Sequence, residues 1–310
     1  MSEWGSPEDE LHLRLVHSAP SVEEIDANSP ELLPADYYLS EVLDLWNSGL
    51  PGGFKTGWPA LDKHYTVAPG QLTVLTGWPG SGKSEWLDHL LINLAQQDWK
   101  FAIYSAENQP VQLHISKLME KIARMPFGAG PNERIPYAAL VDYVQELAAN
   151  FHFISPKLNT IPLHKIVAAS AQYLLAEDGK KPGLVIDPWN ELEHARPKTK
   201  SETEYISESL SYLRNWARSN GVHVWLVAHP AKQKRGDDGK LPVPTPDMIS
   251  GSQHWWNKAD CALSVWRDMN DLVSRETSVF IQKIRFKNIG IPGEVRFNYD
   301  RLTGRYSEPK

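Results

Sequence analysis

Gly77-Trp78-Pro79-Gly80-Ser81-Gly82-Lys83-Ser84 follows a short apolar run at 71–75 and precedes a segment with Leu87, Leu90, Leu91 and Leu94 on one helical face. The octet fits G-x-x-x-x-G-K-[ST] in the strand-to-helix setting that this pattern requires. Its glycines let successive backbone N–H groups turn inward around β- and γ-phosphates, and a helix beginning at Lys83 aims its positive end at them. Lys83 supplies a cation for phosphate charge, and Ser84 an oxygen for Mg²⁺. The stretch predicts a nucleotide-phosphate site between a buried strand and a helix.

Working outward, further apolar runs occur at 101–104, 151–154, 184–186 and 222–227, separated by helical patterns near 109–124, 136–149, 161–176 and 202–219. Alternation of buried strands with helices predicts an α/β fold with a mainly parallel sheet covered on both faces. The helix after 201 has the clearest boundaries: Ser201 and Glu204 form a capping box, and Asn220-Gly221 ends it. From Cys261 the rhythm becomes strand-like, at 278–286 and 294–299, predicting antiparallel additions at the end of the sheet. Upstream, Leu39, Val42, Leu43 and Trp46 repeat at helical spacing after Asp36, a capable N-cap, and Asn47-Ser48-Gly49 supplies a stop. The expected organisation is an acidic flexible arm over 1–35, a linker helix over 36–50 and the nucleotide-binding domain over 51–310.

Composition narrows the class. Of 310 residues, 41% are hydrophobic and 23% charged, which fits an ordinary folded protein. No apolar run approaches the roughly 18 residues of a membrane span, and the opening MSEWGSPEDE lacks the features of a targeting segment, so a cytoplasmic protein is expected. One cysteine, Cys261, excludes an internal disulfide and a cysteine-based zinc site. The net charge of −6 is unevenly spread. Residues 1–50 hold eleven acids and one base, leaving 27 acids and 31 bases beyond them, a balance of +4. A mildly basic body can bind a polyanion locally without the footprint of a protein that coats DNA.

A P-loop site needs a second acid to hold the metal through water, and Asp187 ends the apolar run at 184–186. Hydrolysis also needs a group that polarises water, and Glu107 stands just past 101–104. If that strand adjoins the P-loop strand, the Glu107 carboxylate faces the γ-phosphate. Strand-end carboxylates also serve as turn caps, the other reading of both residues.

With these pieces in order, the chain resembles the hexameric replicative helicases of the RecA-like superfamily, in the DnaB-like group and its Twinkle and phage primase–helicase branch. The resemblance covers about residues 50–308. It rests on Thr56-Gly57-Trp58, Leu61-Asp62, the P-loop, Ser105-Ala106-Glu107-Asn108, Val185-Ile186-Asp187, Val227-Ala228-His229, Lys283-Ile284-Arg285-Phe286 and Thr303-Gly304-Arg305-Tyr306. It implies a RecA-like P-loop ATPase core using ATP and Mg²⁺, with Glu107 activating water and His229 sensing the γ-phosphate. It further implies Arg285 as an arginine finger reaching the neighbouring subunit's nucleotide, with Lys283 as its companion. The interval from Arg285 to Gly290 is one residue longer than the family pattern, which leaves Lys287 as a competitor.

The same resemblance turns two basic loops into single-stranded DNA-binding loops lining a central channel. One carries Arg196, Lys198 and Lys200; the other carries Lys232, Lys234, Arg235 and Lys240. Basic side chains tracking a phosphate backbone suit that task, although a solvated surface loop has the same composition. The expected assembly is a homo-oligomeric ring, a hexamer, with no membrane partner. The chain lacks a zinc-binding cysteine set and room for an upstream primase module, so any priming is expected to belong to another polypeptide, a separate primase. A recombinase-like or loader ATPase that binds DNA without unwinding it is the competing class.

Overall fold

The computed structural model describes residues 32–155, 161–194, 196–231, 235–236, 239–250, 253–271 and 273–309. The chain divides into two compact units at Pro51/Gly52. In the first, a 3₁₀ turn at Ala35–Tyr38 leads into helix α1, Leu39–Ser48, which Gly49 ends. Asp36 is not its N-cap. The chain enters after Pro34, Tyr37 N closes on Pro34 O, and Asp36 is enclosed in that tight turn while Tyr38 takes the cap position. The arm expected over 1–35 falls, up to residue 31, outside the described residues.

The second unit is built on a nine-stranded sheet. In chain order the strands are β1 Leu72–Thr76, β2 Trp99–Ser105, β3 Phe151–Phe153, β4 Lys181–Asp187, β5 His223–Ala228, β6 Cys261–Trp266, β7 Glu276–Ile284, β8 Gly293–Asp300 and β9 Arg305–Ser307. Their spatial order is β3-β2-β4-β5-β1-β6-β7-β8-β9. All pairings from β3 to β6 are parallel and those beyond are antiparallel.

Alternation along each central strand sends successive side chains to opposite faces. Val185, Trp225 and Val227 join a core with helices α2, Lys83–Ala95, and α3, Val111–Ala123. Leu184, Ile186, Val224 and Leu226 join a second core with α5, Leu163–Leu174, and α6, Glu202–Asn220. Helix α4, Leu140–Ala148, follows a 3₁₀ turn and reaches the first core through Leu147. Helices on both faces force the parallel strands to be apolar on both sides. Helix α6 carries the expected capping box at Ser201 and Glu204, and left-handed Gly221 ends it.

One adjacency differs from the sequence expectation. β2 does not adjoin β1: β4 and β5 lie between them, because after β2 the chain adds β3 at the outer edge and then returns to fill the interval. Glu107 therefore approaches the P-loop through the loop beyond β2, not as the tip of a neighbouring strand.

Candidate nucleotide site

Four parallel strands deliver their carboxyl ends to one edge of the sheet, where open α/β folds gather ligands. β1 leads into the P-loop, β4 ends in Asp187, β2 leads to Glu107 and β5 to His229. Thr76 Oγ1 donates to Ala228 O at 2.8 Å, tying the ends of β1 and β5 together. A cavity of about 330 Å³ opens there, lined by Gly80–Glu85, Glu107, Asn108, Lys117, Arg267, Thr277, Tyr299 and Tyr306.

The P-loop backbone needs its glycines. Gly80 and Gly82 adopt left-handed φ of 75° and 94°. A Cβ on Gly82 would sit 2.6 Å from the Tyr306 hydroxyl, and one on Gly77 would sit 2.5 Å from Val265 O. α2 begins at Lys83, so its free N–H groups and dipole face the cradle. Lys83 is buried, with Nζ donating to Trp78 O at 3.3 Å. Burial lowers its pKa, opposed by the charges of Asp187 and Glu107.

Asp187 is buried, and desolvation pushes its pKa up to about 6, with the nearby Ser84 hydroxyl acting in the opposite direction. Ser105 Oγ donates to Asp187 Oδ2 at 3.4 Å, whereas Asp187 Oδ1 and Ser81 Oγ are buried with no partner. A buried carboxylate with an unused oxygen beside a serine hydroxyl fits a hard cation, and the glycine cradle fits a polyphosphate. These residues therefore suit a magnesium nucleotide. Among the described residues no cluster of three or more His, Cys, Asp or Glu is placed to hold a metal ion.

Glu107 is half exposed and accepts a 2.8 Å hydrogen bond from His229 Nε2. That bond lowers its pKa, reinforced by Lys83 and Lys117 and opposed by burial. The His229 backbone N–H donates to Asn190 Oδ1 at 2.8 Å, holding the end of β5.

The structure thus brings Lys83, Ser84, Asp187, Glu107 and His229 to one edge. It also supplies residues that the sequence reading omitted. Lys117 Nζ lies 2.9 Å from Glu85 Oε1 and donates to Asn108 Oδ1 at 3.0 Å; Asn108 Nδ2 donates to Ser105 Oγ at 3.1 Å, extending the chain toward Asp187. Arg267 and Tyr299 line the cavity at β6–β8. Asn108 stood beside the recognised Glu107, but nothing local marked Lys117, Arg267 or Tyr299.

Lys283 and Arg285 lie elsewhere. Lys283 Nζ donates to Trp256 O at 2.5 Å, and Arg285 Nη2 donates to Asn257 O at 2.9 Å and Ala259 O at 3.2 Å. Arg285 N bonds Asp260 O, and Asp260 N bonds Leu72 O, at the start of β1. Four residue steps of about 3.3 Å separate that end from Thr76, where the P-loop departs. Lys287 is exposed.

Among the described basic loop residues, Arg196, Lys200, Arg235 and Lys240 are engaged within the chain. Arg196 Nη1 donates to Lys200 O at 2.8 Å, Lys200 pairs with Glu208 at 2.5 Å and Lys240 with Asp268 at 2.8 Å. Arg235 Nη1 donates to Gly239 O and Asn270 Oδ1. Lys198 is exposed, and Lys232 and Lys234 lie outside the described residues.

Fold and site together define a RecA-like P-loop ATPase domain. The chain belongs to the DnaB-like helicase C terminal domain family, whose sequence model matches residues 53–308. It is 39% identical over 267 residues to the Twinkle homolog protein, chloroplastic/mitochondrial, of Arabidopsis thaliana, covering 83% of this chain and 36% of that protein. The chain thus spans about a third of that relative's length. Among solved structures it is similar to an isolated ATPase domain, with a TM-score of 0.75 at 19% identity, covering 90% of this chain and all of that one. A DnaB-like replicative helicase, described with its interactions with primase, aligns with a TM-score of 0.74 at 19% identity over 98% of this chain and 73% of that one. The RadB recombinase gives 0.54 at 16% identity over 83% of this chain and all of that one. At these identities the structural likeness is one of fold. Among the described residues no helix is long and apolar enough to cross a membrane.

Proposed function

We propose that the chain is an ATP-driven DNA helicase motor that assembles as a ring, a hexamer, and translocates on single-stranded DNA during replication. The observation that carries this reading is the separation of Arg285 from its own P-loop to the opposite end of β1. A cation so placed is too far from its own P-loop to serve it; on this reading it serves the site of another copy, and a head-to-tail interface that repeats this relation gives a ring where the rotation closes.

Within one site, Lys83 and the P-loop backbone bind the phosphates. Ser84 and Asp187 would hold Mg²⁺, which when bound neutralises phosphate charge and orients the terminal group. Glu107 takes the proton of the attacking water, and His229 holds that carboxylate and senses the γ-phosphate. Arg285, with Lys283 beside it, supplies transition-state charge from the next subunit.

Arg196, Lys198, Lys200, Lys232, Lys234, Arg235 and Lys240 form the DNA-facing loops. Their internal partners hold several of these cations in place until phosphates replace those contacts. Residues 1–35 act as an arm, 36–50 as a linker helix and 51–310 as the motor. A primase is a partner of the motor, as in the helicase–primase relation described for one structural neighbour. The motor works wherever its DNA is copied: the cytoplasm of a cell without organelles, or an organelle of the kind named for the plant relative.

The test is ATP hydrolysis with and without single-stranded DNA, followed by unwinding of a forked duplex. Stimulation by DNA with unwinding supports the motor. Stimulation without unwinding points to a recombinase-like or loader ATPase, and no stimulation removes DNA from the reading.

A further inference from the structure

A carboxylate without access to water lies beside the proposed trans-acting arginine. Asp260 is fully buried just before β6. Its backbone N–H donates to Leu72 O and its carbonyl accepts from Arg285 N, both at 2.9 Å, while Oδ2 accepts from Leu72 N at 3.1 Å. The remaining oxygen, Oδ1, faces three guanidinium groups. Arg218 Nη2 hydrogen-bonds it at 2.9 Å; Arg285 Nε at 3.0 Å and Arg214 Nε at 3.4 Å stand at ion-pair distance without hydrogen-bond geometry. Both Nε groups are buried donors with no acceptor.

One negative charge therefore answers three positive ones, and Lys283 adds a fourth cation, donating to the same Asn257 O as Arg285. Partly buried cations are normally matched by charge. A single arginine on a carboxylate forms a two-pronged pair that neutralises both groups. Three claimants on one oxygen prevent that arrangement.

We propose that Asp260 is the positioning residue of the trans-acting Arg285: it anchors the guanidinium through one shared oxygen, while Arg214 and Arg218 divide that oxygen's charge and leave Arg285 able to receive a neighbour's phosphate. Because Asp260 is also bonded to Leu72, the anchor is fixed to the strand whose far end carries the same subunit's P-loop. This inference rests on Arg285 acting on the adjacent site.

The experiment uses the whole chain. Asp260→Asn keeps an acceptor for Leu72 but loses the charge that anchors Arg285. Its own P-loop should bind ATP within about twofold of the parent, while turnover falls about 10²-fold, the scale expected when a catalytic group is misplaced by an ångström. The loss should act in trans: mixing with Lys83→Ala subunits, which present an intact Arg285, should restore turnover to Asp260→Asn P-loops. A loss confined to global folding would not be restored. The parallel mixture of Arg285→Ala with Lys83→Ala is the control. Failure of the control removes the trans role of Arg285 and this inference with it. If the control regains activity while the Asp260→Asn mixture does not, or if Asp260→Asn turns over like the parent, only the role of Asp260 falls. Should Asp260→Asn not fold, the double variant Arg214→Met/Arg218→Met leaves Asp260 to Arg285 alone; it should lose turnover tenfold or more, restorable by Lys83→Ala subunits, and parental turnover overturns the proposal.

Discussion

His229 Nε2 donates a 2.8 Å hydrogen bond to Glu107 Oε1 across the end of β4, joining residues 122 positions apart in the sequence. This bond is the first cause of the lowered pKa of Glu107. A general base must be ionised, and a depressed pKa keeps it ionised to lower pH. With His229→Leu the Glu107 pKa returns toward the ordinary carboxylate value, so the acid limb of the turnover profile should move to higher pH. Glu107→Gln should bind ATP and lose about 10²–10⁴-fold in turnover. An unmoved acid limb in His229→Leu would show that another group sets it.

Asp187 has the opposite shift. Burial raises its pKa from 3.8 to about 6, so its favourable contribution is complete below the unfolded value and is lost as pH rises through about 6. Two pH units correspond to about 3 kcal/mol. Without nucleotide, Asp187→Asn should melt higher than the parent at pH 7.5 and about equally at pH 4. With a magnesium complex of a non-hydrolysable ATP analogue the order should reverse, since only the carboxylate holds the metal. Equal stabilisation of both proteins by that complex would exclude Asp187 as a metal group.

The P-loop is also bonded to one of the two basic loops. Lys83 Nζ donates to Trp78 O, and Trp78 Nε1 donates to Pro242 O at 2.7 Å. Phosphate arriving at Lys83 competes for the ammonium that holds the Trp78 carbonyl, and the indole N–H carries any displacement to 240–246. Trp78→Phe keeps the ring and deletes that donor. One hydrogen bond of about 1 kcal/mol is a factor of about five, so the ratio of DNA-stimulated to basal hydrolysis should fall by about that much. An unchanged ratio would remove this route of coupling.

The legible parts of the fold and site were the local ones. The strand–loop–helix setting of the octet at 77–84, the strand alternation and the capping box at Ser201 each depend on neighbours within a few residues, and each forms as read. Sheet order did not follow from local pattern: nothing in 101–104 shows that two strands intervene between β2 and β1. The Asp260 cluster draws on α6, β6 and the end of β7, and the Lys117–Asn108–Ser105 chain joins α3 to the loop after β2. Such contacts are decided by tertiary packing. Basic composition likewise revealed the loops but not the acids, Glu208 and Asp268, that engage them.

Helix α1 exposes Leu39, Val42 and Leu43, and Trp46 is 82% exposed, an apolar stripe that water does not favour. Residues 52–310 form a compact unit with their own core. Removing residues 1–51 should therefore leave folding intact while weakening self-association at least tenfold, measured by sedimentation with ATP analogue, Mg²⁺ and oligo-dT. Unchanged association would assign the stripe another partner.

The most demanding prediction concerns which cation crosses the interface. Arg285 and Lys283 meet at Asn257 O, whereas Lys287 lies beyond the end of β7 on an exposed turn. If Arg285 is the finger, Arg285→Ala subunits should bind ATP normally yet lose about 10³–10⁵-fold in hydrolysis, the contribution of such groups elsewhere. Lys83→Ala subunits should lose both nucleotide affinity and hydrolysis. Each is inactive alone, but mixed rings contain interfaces where an intact Lys83 faces an intact Arg285, and activity should partly return in proportion to their statistical share. Lys287→Ala should remain active without mixing. The converse pattern, Lys287→Ala inactive and complemented by Lys83→Ala while Arg285→Ala is not, would move the finger two residues on. A protein that stays monomeric at micromolar concentration with ATP, Mg²⁺ and single-stranded DNA would remove the need for any finger, and the ring motor with it.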